Sequence, residues 1–333
     1  MKRLRAAVIG LGVGEQHIEG YESHPGCEVT TLCDFDDEKA AEAEKKYPDK
    51  KTVKDADEVL EDPEIDVVSI TTYDNYHAGQ VVKALKNGKH VFVEKPLCLY
   101  EDEARQIRAI LCEKPELKIS SNLILRMSPR FRLLKKIIRE KELGEIFYME
   151  GDYNYGRIHK ITEGWRGRLD FYSVVYGGGV HIIDLLLWLT GDSVEEVKAY
   201  GTRAARDSDF KYNDTVVSIL KFRSGAVGKM TCNFACVHPH FHCLSLYGDK
   251  ATFINGLENG FLYTSRDAGA KPKSIDAPYP GTRKGDLIHS FVESILTGIE
   301  SGVTQDEIFD CMSVCFAIEK SVNKSDAVKV EYI

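Results

Sequence analysis

Short apolar runs alternate with helical patterns over the first third of the chain. The runs cover residues 4–10, 28–33, 65–71 and 90–94. Between them, apolar residues at three- and four-residue spacing predict helices that end near residue 21 and cover 38–47 and 77–87. Gly88 follows the last of these helices, where glycine favours a left-handed C-terminal cap. Strands that are apolar on both faces and separated by helices indicate a covered parallel sheet. We therefore predict a doubly wound α/β domain over residues 1–123.

The pattern changes beyond residue 122, where apolar and polar residues alternate over longer segments. These segments are 146–155, 215–222, 226–234 and 243–248. Alternation of this period predicts antiparallel strands, and residues 223–225 (RSG) provide a hairpin turn between two of them. Helical spacing recurs over 179–189, 285–296 and 305–321. We predict that residues 124–333 form an α+β domain with a large, mostly antiparallel open sheet.

The size and net charge of the chain argue against some classes of function. A chain of 333 residues, with 43% hydrophobic and 29% charged residues, has room for two ordinary globular cores. The net charge of -8 argues against binding to nucleic acid or to an anionic membrane surface. No apolar run of about 18 residues is present to span a bilayer. We therefore predict neither a nucleic-acid partner nor a membrane partner.

The nine cysteines are odd in number, scattered and mostly flanked by apolar residues. That distribution is typical of small core residues in a reducing compartment, and it favours a cytoplasmic location over a disulfide framework. Cys232 and Cys236 form one Cys-x3-Cys pair, and Cys311 and Cys315 form another. The second pair lies in a helical pattern where the same spacing is core spacing, so we do not predict a zinc site.

Three glycines, Gly10, Gly12 and Gly14, lie at the junction of the first strand and the first helix. Missing Cβ atoms there let backbone amides approach a pyrophosphate, and the helix dipole favours its charge. The spacing GLGVGE departs from G-x-G-x-x-G because Glu15 occupies the third position, so a turn without a ligand is the alternative. Asp34 ends the second strand, where a carboxylate can accept hydrogen bonds from both ribose hydroxyls.

The surroundings of Asp34 favour NAD over NADP. Its charge would repel a 2′-phosphate, and the following Phe35, Asp36 and Asp37 include no cation to hold one. A simple turn residue is the alternative interpretation of Asp34.

The segment GKHVFVEKPL, residues 88–97, places Glu94, Lys95 and Pro96 at the carboxyl end of a buried strand. Ligands bind at this edge of a doubly wound sheet. Burial at such a position would lower the pKa of a lysine and suit Lys95 to proton transfer with a substrate hydroxyl.

Several separate motifs along the chain agree with one another. They are AAVIGLGVG at the start, LCD ending at Asp34, GKHVFVEKPL, LILRMSP around Arg126, Trp165-Arg166, GGGVHIIDLLLWLTG from Gly177, NDTVVSILKF from Asn213 and YGDKATF. In these motifs the sequence resembles the glucose-fructose oxidoreductase / inositol dehydrogenase / MocA family of NAD(P)-dependent dehydrogenases over nearly its whole length. The resemblance implies a Rossmann nucleotide domain followed by a substrate-binding and oligomerisation domain.

The resemblance also implies an activity: hydride transfer between NAD and a secondary alcohol of a sugar, cyclitol or related polyol. It implies that Lys95 acts beside the nicotinamide as proton relay or substrate ligand, with His181 near the reacting hydroxyl. Asp184 follows His181 by three residues and lies on the same helical face, where its carboxylate can orient the imidazole. We predict Lys95 and His181 as the catalytic pair; a polar cap on an apolar helix is the alternative for His181.

The complete set of predicted ligands is larger. Predicted cofactor ligands are Gly10, Gly12, Val13, Gly14, Asp34, Thr71, His77, Glu94 and Lys95. Predicted substrate ligands are Lys95, Asn122, Arg126, Trp165, Arg166, His181 and Asp184. A guanidinium offers a planar fork of donors for hydroxyls or a carboxylate, although surface salt bridges are the alternative for both arginines.

One position departs from the family pattern. Many members carry Asp four residues before the histidine, where this chain has Gly177. The proton could therefore pass through His181, through Lys95, or through a phenol such as Tyr153, Tyr155 or Tyr176. Two alternative functions stay open: the resemblance allows a glycoside-cleaving enzyme that uses NAD transiently, and the departure at Gly177 allows a non-catalytic dinucleotide sensor. The family's broad sheet is often buried between subunits, which implies a homo-oligomer, a dimer or tetramer.

Three histidines alternate in VHPHFHC, at His238, His240 and His242. On an extended strand this spacing places all three imidazoles on one face, a geometry that can bind a transition metal. Pro239 interrupts strand pairing and no carboxylate adjoins the run, so we predict no metal there. A substrate or subunit contact, or a solvated strand end, are the other interpretations.

Overall fold

The computed structural model describes residues 3–206 and 208–333, and the chain divides into two units. The first unit comprises the described residues up to Ile124 together with Thr282–Phe309 and Ile333. The second comprises Leu125–Gly281 and Asp310–Tyr332. The predicted second domain, residues 124–333, is therefore larger than the second unit, because residues 282–309 belong to the first.

The apolar runs of the first unit form a sheet. Its strands are β1 (Leu4–Ile9), β2 (Cys27–Cys33), β3 (Lys51–Val53), β4 (Val67–Ile70), β5 (His90–Val93) and β6 (Ile119–Ser121). The six strands lie in the order β3-β2-β1-β4-β5-β6, and every neighbouring pair is parallel. This order confirms the predicted Rossmann-type sheet, in which the strand order reverses between β1 and β4.

Helices connect these strands. They are α1 (Glu15–Glu22), α2 (Asp37–Lys46), α3 (Ala56–Leu60), α4 (Asp74–Lys86) and α5 (Glu101–Glu113). The Asp36 side chain caps α2 by accepting from the backbone amides of Glu38 (3.0 Å) and Lys39 (3.2 Å). Helix α4 begins at Asp74 rather than at the predicted residue 77, since an acidic residue in the first turn is favoured by the helix dipole.

The alternating segments of the second unit form a nine-stranded sheet. Its strands are β7 (Ile146–Asn154), β8 (Val194–Thr202), β9 (Thr215–Phe222), β10 (Val227–Asn233), β11 (Phe241–Gly248), β12 (Thr252–Asn255), β13 (Gly260–Tyr263), β14 (Lys273–Ile275) and β15 (Val328–Lys329). The order is β14-β13-β12-β11-β7-β10-β9-β8-β15. All pairs are antiparallel except β7 with β10, so the predicted mostly antiparallel sheet is confirmed.

The remaining helices are α6 (Pro129–Arg139), α7 (His159–Thr162), α8 (Val180–Thr190), α9 (Ile288–Thr297) and α10 (Gln305–Lys324). Helix α9 belongs to the first unit, where the Phe291 ring lies 5.7 Å from the Phe92 ring of β5. Sequence periodicity predicts such a helix but does not reveal which sheet its apolar face covers. Short 3-10 helices cover Ile124–Met127 and Trp165–Arg168, and a π-helical turn, Val175–Gly179, leads directly into α8.

Two further observations bear on the predictions from composition. Within the described ranges, no helix is both long enough and apolar enough to cross a bilayer. All nine cysteines lie in those ranges, and no disulfide joins any of them.

Candidate active site

The glycine turn between β1 and α1 is shaped by close backbone approach. Gly10 has a φ of +93°, and a Cβ atom there would lie 2.6 Å from the Thr71 carbonyl oxygen. The Thr71 hydroxyl donates to the carbonyls of Ile9 (2.8 Å) and Gly10 (2.5 Å), which ties the turn to the end of β4. Among the described residues other than its two chain neighbours, no atom lies within 4 Å of the Cβ position of Gly12, and Val13 beside it is 39% exposed. A pyrophosphate can therefore approach the backbone at this turn.

Asp34 is held rigidly at the end of β2. Its Oδ2 accepts from the Leu11 amide at 2.7 Å, and its Oδ1 accepts from the Asp36 amide at 3.0 Å. Each oxygen keeps further lone pairs for a ligand hydroxyl. The carboxylate lines a cavity of about 430 Å³ with Phe35, Lys54 and Tyr76 among others.

The charges around this cavity suit a ribose without a phosphate. Lys54 pairs with Asp37 at 2.5 Å, and Lys39 lies 3.9 Å from Asp34. Both cations that could hold a 2′-phosphate are thus next to carboxylates. The open turn, the carboxylate and the cavity together fit the pyrophosphate and adenosine of NAD.

A buried polar network lies beneath the end of β5. Glu94 Oε1 accepts from Asn122 Nδ2 at 2.7 Å and lies 3.6 Å from His17 Nε2. His17 Nδ1 is 3.0 Å from the Ser69 hydroxyl, which is 3.1 Å from the Tyr21 hydroxyl. Every member is 8% exposed or less. No sequence motif indicates His17, Ser69 or Tyr21, because their contacts join separate elements.

Glu94 is a buried anion. Burial alone would raise its pKa, but the charge of Lys284, the hydrogen bond from His17 and the charge of Lys95 hold the pKa well below its usual range. Its Oε2 lies 3.3 Å from the backbone nitrogen of Lys95. Asn122 also donates to the Lys284 carbonyl at 3.0 Å. Glu94 and Asn122 therefore support the segment that carries Lys95.

We expect Glu94→Gln to lower the free energy of unfolding by about 2–4 kcal/mol at neutral pH, since it removes a buried charge from its partners. The folded-state pKa is depressed, so the carboxylate's contribution is present above its unfolded pKa of about 4.3 and decreases as pH falls below it. Urea unfolding at several pH values measures both effects. Glu64→Gln is the matched control, because Glu64 pairs with Arg5 and is 66% exposed. An equal loss in both variants at neutral pH would contradict this role for Glu94.

His77 contacts the same segment from α4. Its Nδ1 lies 2.7 Å from the Pro96 carbonyl and its Nε2 lies 3.2 Å from the Thr72 carbonyl. The imidazole is 1% exposed, and the Lys95–Pro96 peptide bond is cis. Both ring nitrogens of this predicted cofactor ligand thus face backbone carbonyls.

In the second unit, His181 lies in a cluster of phenol and imidazole rings. Its ring centroid is 6.2 Å from that of Tyr153 and 6.1 Å from that of His242. Tyr153 also contacts Tyr155 (5.7 Å) and His240 (5.1 Å). We call these five residues the ring cluster. Burial raises the pKa of Tyr153 well above its ordinary value, so its phenol keeps its proton at neutral pH and is a hydrogen-bond donor.

Arg126 and Asp184 form a buried ion pair with each other. Arg126 Nε lies 3.1 Å from both carboxylate oxygens of Asp184, and Arg126 Nη2 lies 2.6 Å from Oδ1. The side chains are 4% and 2% exposed. The arginine also lies over the Trp188 ring, 5.8 Å from its centroid. These two predicted substrate ligands therefore fix the helix that carries His181, and the surface salt bridge considered for Arg126 is instead buried.

Three consecutive glycines before His181 allow side chains to pack against the π-helical turn. A Cβ atom would lie 2.1 Å from the Tyr172 hydroxyl at Gly177, 2.4 Å from the Tyr153 ring at Gly178, and 2.3 Å from the Cys232 sulfur at Gly179. The Tyr172 phenol, 2% exposed, thus occupies the space that a side chain at position 177 would need. The phenols predicted from the sequence at this place are Tyr153, Tyr155 and Tyr176, and Tyr172 is not among them.

Gly177→Ala is expected to destabilise the protein by about 1–3 kcal/mol, because the new methyl group overlaps the Tyr172 hydroxyl. Adding Tyr172→Phe should recover part of that loss, since it removes the nearest atom. Gly79→Ala is the control: Gly79 lies in α4, and apart from its own helix backbone and chain neighbours no atom of the part of the chain that the structure describes lies within 4 Å of its Cβ position, so alanine there should stabilise the protein by up to about 1 kcal/mol. Thermal and urea unfolding measure all three changes, and a neutral Gly177→Ala would refute the packing argument.

The other predicted residues of this unit occupy different environments. The Arg166 guanidinium stacks 4.4 Å from the centroid of its neighbour Trp165, and its charge partly offsets the burial that raises the pKa of Tyr153. Tyr176 packs against Phe171 (5.9 Å) and Phe316 (5.7 Å). Arg166 and Trp165 thus lie near the ring cluster, whereas Tyr176 is a core residue.

The three alternating histidines do not share one strand. Strand β11 begins at Phe241, so only His242 belongs to it, and the extended arrangement that would place three imidazoles on one strand face is not formed. The proline within the run explains the difference, because Pro239 lacks the amide that strand pairing requires. Among the described residues, no group of three or more His, Cys, Asp or Glu side chains is arranged to hold a metal ion.

Both parts of the chain that carry candidate site residues match known protein families. Residues 4–121 match an oxidoreductase family with an NAD-binding Rossmann fold, and residues 131–254 match the GFO/IDH/MocA C-terminal domain. The chain belongs to the GFO/IDH/MocA family. This GFO/IDH/MocA protein is therefore an NAD-dependent oxidoreductase, which confirms the resemblance, the fold and the cofactor predicted from the sequence.

Characterised relatives of this GFO/IDH/MocA protein include enzymes of inositol oxidation. It is 25% identical to myo-inositol 2-dehydrogenase of Thermotoga maritima over 99% of each chain. It is 27% identical to scyllo-inositol 2-dehydrogenase (NAD(+)) of Bacillus subtilis over 76% of this chain and 74% of the relative. Its fold matches that of Lactobacillus casei scyllo-inositol dehydrogenase with bound NAD(H) and scyllo-inositol, with a TM-score of 0.81, 19% identity and 99% of each chain covered.

Proposed function

We propose that this oxidoreductase oxidises a secondary alcohol of a cyclitol, sugar or related polyol. The observation that carries the proposal is the ring cluster around His181, which offers imidazole and phenol groups to an uncharged, hydroxyl-rich molecule. Arg126, which could otherwise bind a substrate carboxylate, is paired with Asp184. The names of the inositol dehydrogenases related to this chain support the same substrate class.

We propose that Lys95 and His181 act on the same substrate. His181 takes the proton from the hydroxyl group that is oxidised, and Lys95 donates a hydrogen bond to that oxygen as it becomes a carbonyl. NAD held at the glycine turn and at Asp34 would supply the hydride acceptor for this oxidation. The Arg126–Asp184 pair holds the helix of His181, and Glu94 holds the segment of Lys95, so each group is supported by buried partners.

A polyol panel with NAD tests the substrate class. The purified protein is mixed with NAD and with myo-inositol, scyllo-inositol, aldoses, or small hydroxy acids as a matched non-polyol set, and NADH absorbance is recorded. We expect NADH with at least one cyclitol or sugar and none with the hydroxy acids. NADH formation only with the acids, or with none of the compounds, would overturn the proposal.

We also propose that the protein is cytoplasmic and assembles as a dimer or tetramer. Apolar side chains on one face of the nine-stranded sheet support assembly: Tyr200 is 63% exposed, Val217 41%, Ile219 47% and Val227 40%. A second copy would cover such a surface. Light scattering on the protein as it elutes from a size-exclusion column measures the mass of the particle in solution. A monomer at micromolar protein concentration would contradict the proposed assembly.

A further inference from the structure

The helix that carries His181 begins with a turn that its own side chains hold weakly. Residues 174–190 are helical without a break, and Val175–Gly179 within them form the π-helical turn. Three of those five residues are glycines, which have more conformational freedom than any other residue and add no side chain to the packing. Single π-helical turns are rare and are frequent at functional sites. The geometry of this turn, and with it the position of His181, therefore depends on contacts from other elements.

Ser173 caps this helix, and its hydroxyl uses all of its hydrogen-bonding capacity. Its Oγ accepts from the backbone amides of Val175 (3.1 Å) and Tyr176 (3.4 Å) and donates to Glu319 Oε1 on α10. A hydroxyl has one hydrogen and two lone pairs, so donation to the carboxylate leaves both lone pairs for the amides. Ser173 is 4% exposed, so its hydroxyl depends on protein partners. Glu319 thereby sets the direction of the hydroxyl that caps the helix.

Glu319 depends on Ser173 in turn. Burial raises the pKa of the Glu319 carboxyl, and the hydrogen bond from Ser173 opposes that shift. Removal of Glu319 would leave a buried hydroxyl hydrogen without its acceptor, and removal of Ser173 would take away the donor that offsets burial of the carboxyl. The two side chains therefore act as one unit.

Helix α10 also contacts the residues that follow Ser173. The Phe316 ring lies 5.7 Å from the Tyr176 ring, and Cys311 Sγ lies 3.4 Å from the Val180 carbonyl oxygen. Together with the contact of Glu319, these pairs run along the two segments in opposite directions, so α10 lies along residues 173–180. Glu319 supplies the side-chain hydrogen bond of this interface at the start of the helix.

We propose that Glu319 is a positioning residue for the proposed catalytic imidazole: through Ser173 it fixes the start of the helix and thereby the place of His181 beside the substrate hydroxyl. This inference rests on the proposed function and adds to it a residue that acts on the reaction only through the protein. A shift of about 1 Å in a catalytic group can lower turnover by about 100-fold. The glycine turn and Asp34 belong to the other unit, so cofactor binding should not change.

Steady-state kinetics with a confirmed polyol substrate test the proposal. We expect Glu319→Ala and Ser173→Ala each to lower kcat by about 10- to 100-fold and to leave KM for NAD within about twofold of the wild-type value. Glu319→Gln retains an oxygen that accepts from Ser173 and should recover most of kcat. The double variant should be no slower than the slower single variant, because all three lose the same contact.

Ser321→Ala is the matched control on the same helix. Ser321 is fully buried, and its hydroxyl accepts from the Ala199 amide at 2.9 Å and donates to the Asp326 carbonyl at 2.6 Å. Its contacts thus go to β8 and to the chain that follows α10. Ser321→Ala should lower the melting temperature but keep wild-type kcat. If Ser321→Ala and Glu319→Ala lower kcat by the same factor, general destabilisation explains the loss and the proposal is overturned.

Combination with His181→Ala separates positioning from a purely structural role. If Glu319 acts through the imidazole, Glu319→Ala lowers kcat of the wild type but leaves the residual rate of His181→Ala unchanged. A further loss of similar size in that background would overturn this inference while the proposed function stands. If the wild type oxidises no polyol, the proposed function fails and this inference fails with it. Melting temperatures with and without NAD show which variants are folded, and Ser173→Ala replaces Glu319→Ala in every comparison if the latter does not fold.

Discussion

Turnover is expected to fall by about two to four orders of magnitude when either Lys95 is replaced by Met or His181 by Ala. Both changes remove a group proposed to hold or move the proton of the reacting hydroxyl, and methionine preserves much of the volume of lysine. NAD should still raise the melting temperature of His181→Ala, because the glycine turn and Asp34 are unchanged. Single-turnover NADH formation with a confirmed polyol substrate measures the chemical step directly.

Exposed residues of the same types are suitable controls for these two variants. Lys86→Met and His159→Ala change exposed side chains and should keep wild-type turnover. Near-wild-type rates for both Lys95→Met and His181→Ala would reject the proposed catalytic pair. A large loss of turnover in only one of the two variants would assign the proton transfer to that residue alone and would reject joint action.

Replacing Asp34 by Asn is expected to raise KM for NAD by about 100-fold. The change removes charge-assisted hydrogen bonds to the ribose, each of which contributes about 1.5–3 kcal/mol, but keeps an oxygen that can accept from the Leu11 amide. The ratio of kcat/KM for NADP to that for NAD should rise as well, because the repulsion of a 2′-phosphate disappears. A purely structural role would leave that ratio unchanged.

Steady-state kinetics with both dinucleotides provide the measurement for Asp34→Asn. Asp49→Asn is the control, since Asp49 is 75% exposed and pairs only with its neighbour Lys50 among the contacts described. An unchanged cofactor ratio in Asp34→Asn, together with an unchanged KM for NAD, would show that this carboxylate does not bind the ribose.

Local patterns predicted most of the scaffold. The runs that became β1, β2, β4 and β5 are apolar at most of the positions that the sheet buries, so strand and sheet type follow from periodicity alone. Gly10 and Gly88 were predicted at a tight turn and at a helix C-terminus, and both have a positive φ, +93° and +77°. The boundaries were less accurate, as at α4, because capping depends on which side chains reach the first amides.

The partners of the candidate site residues were not predictable in the same way. Arg126 and Asp184 both matched a substrate-binding interpretation, yet they bind each other across 58 positions of sequence. His17 carried no motif, but it lies beside Glu94, far away along the chain, in a buried network. Such contacts depend on how elements pack, and residue types alone do not specify them.

The sequence by itself determined the Rossmann topology, the glycine turn, the acidic residue at the end of β2 and the family, because each depends on residues close together along the chain. Tertiary structure decided which polar side chains bind to each other inside the protein and which side chains pack against one another. Burial makes that difference: a charged or polar side chain removed from water must find a partner, and only packing brings Arg126 to Asp184, Tyr172 to Gly177 and Glu319 to Ser173.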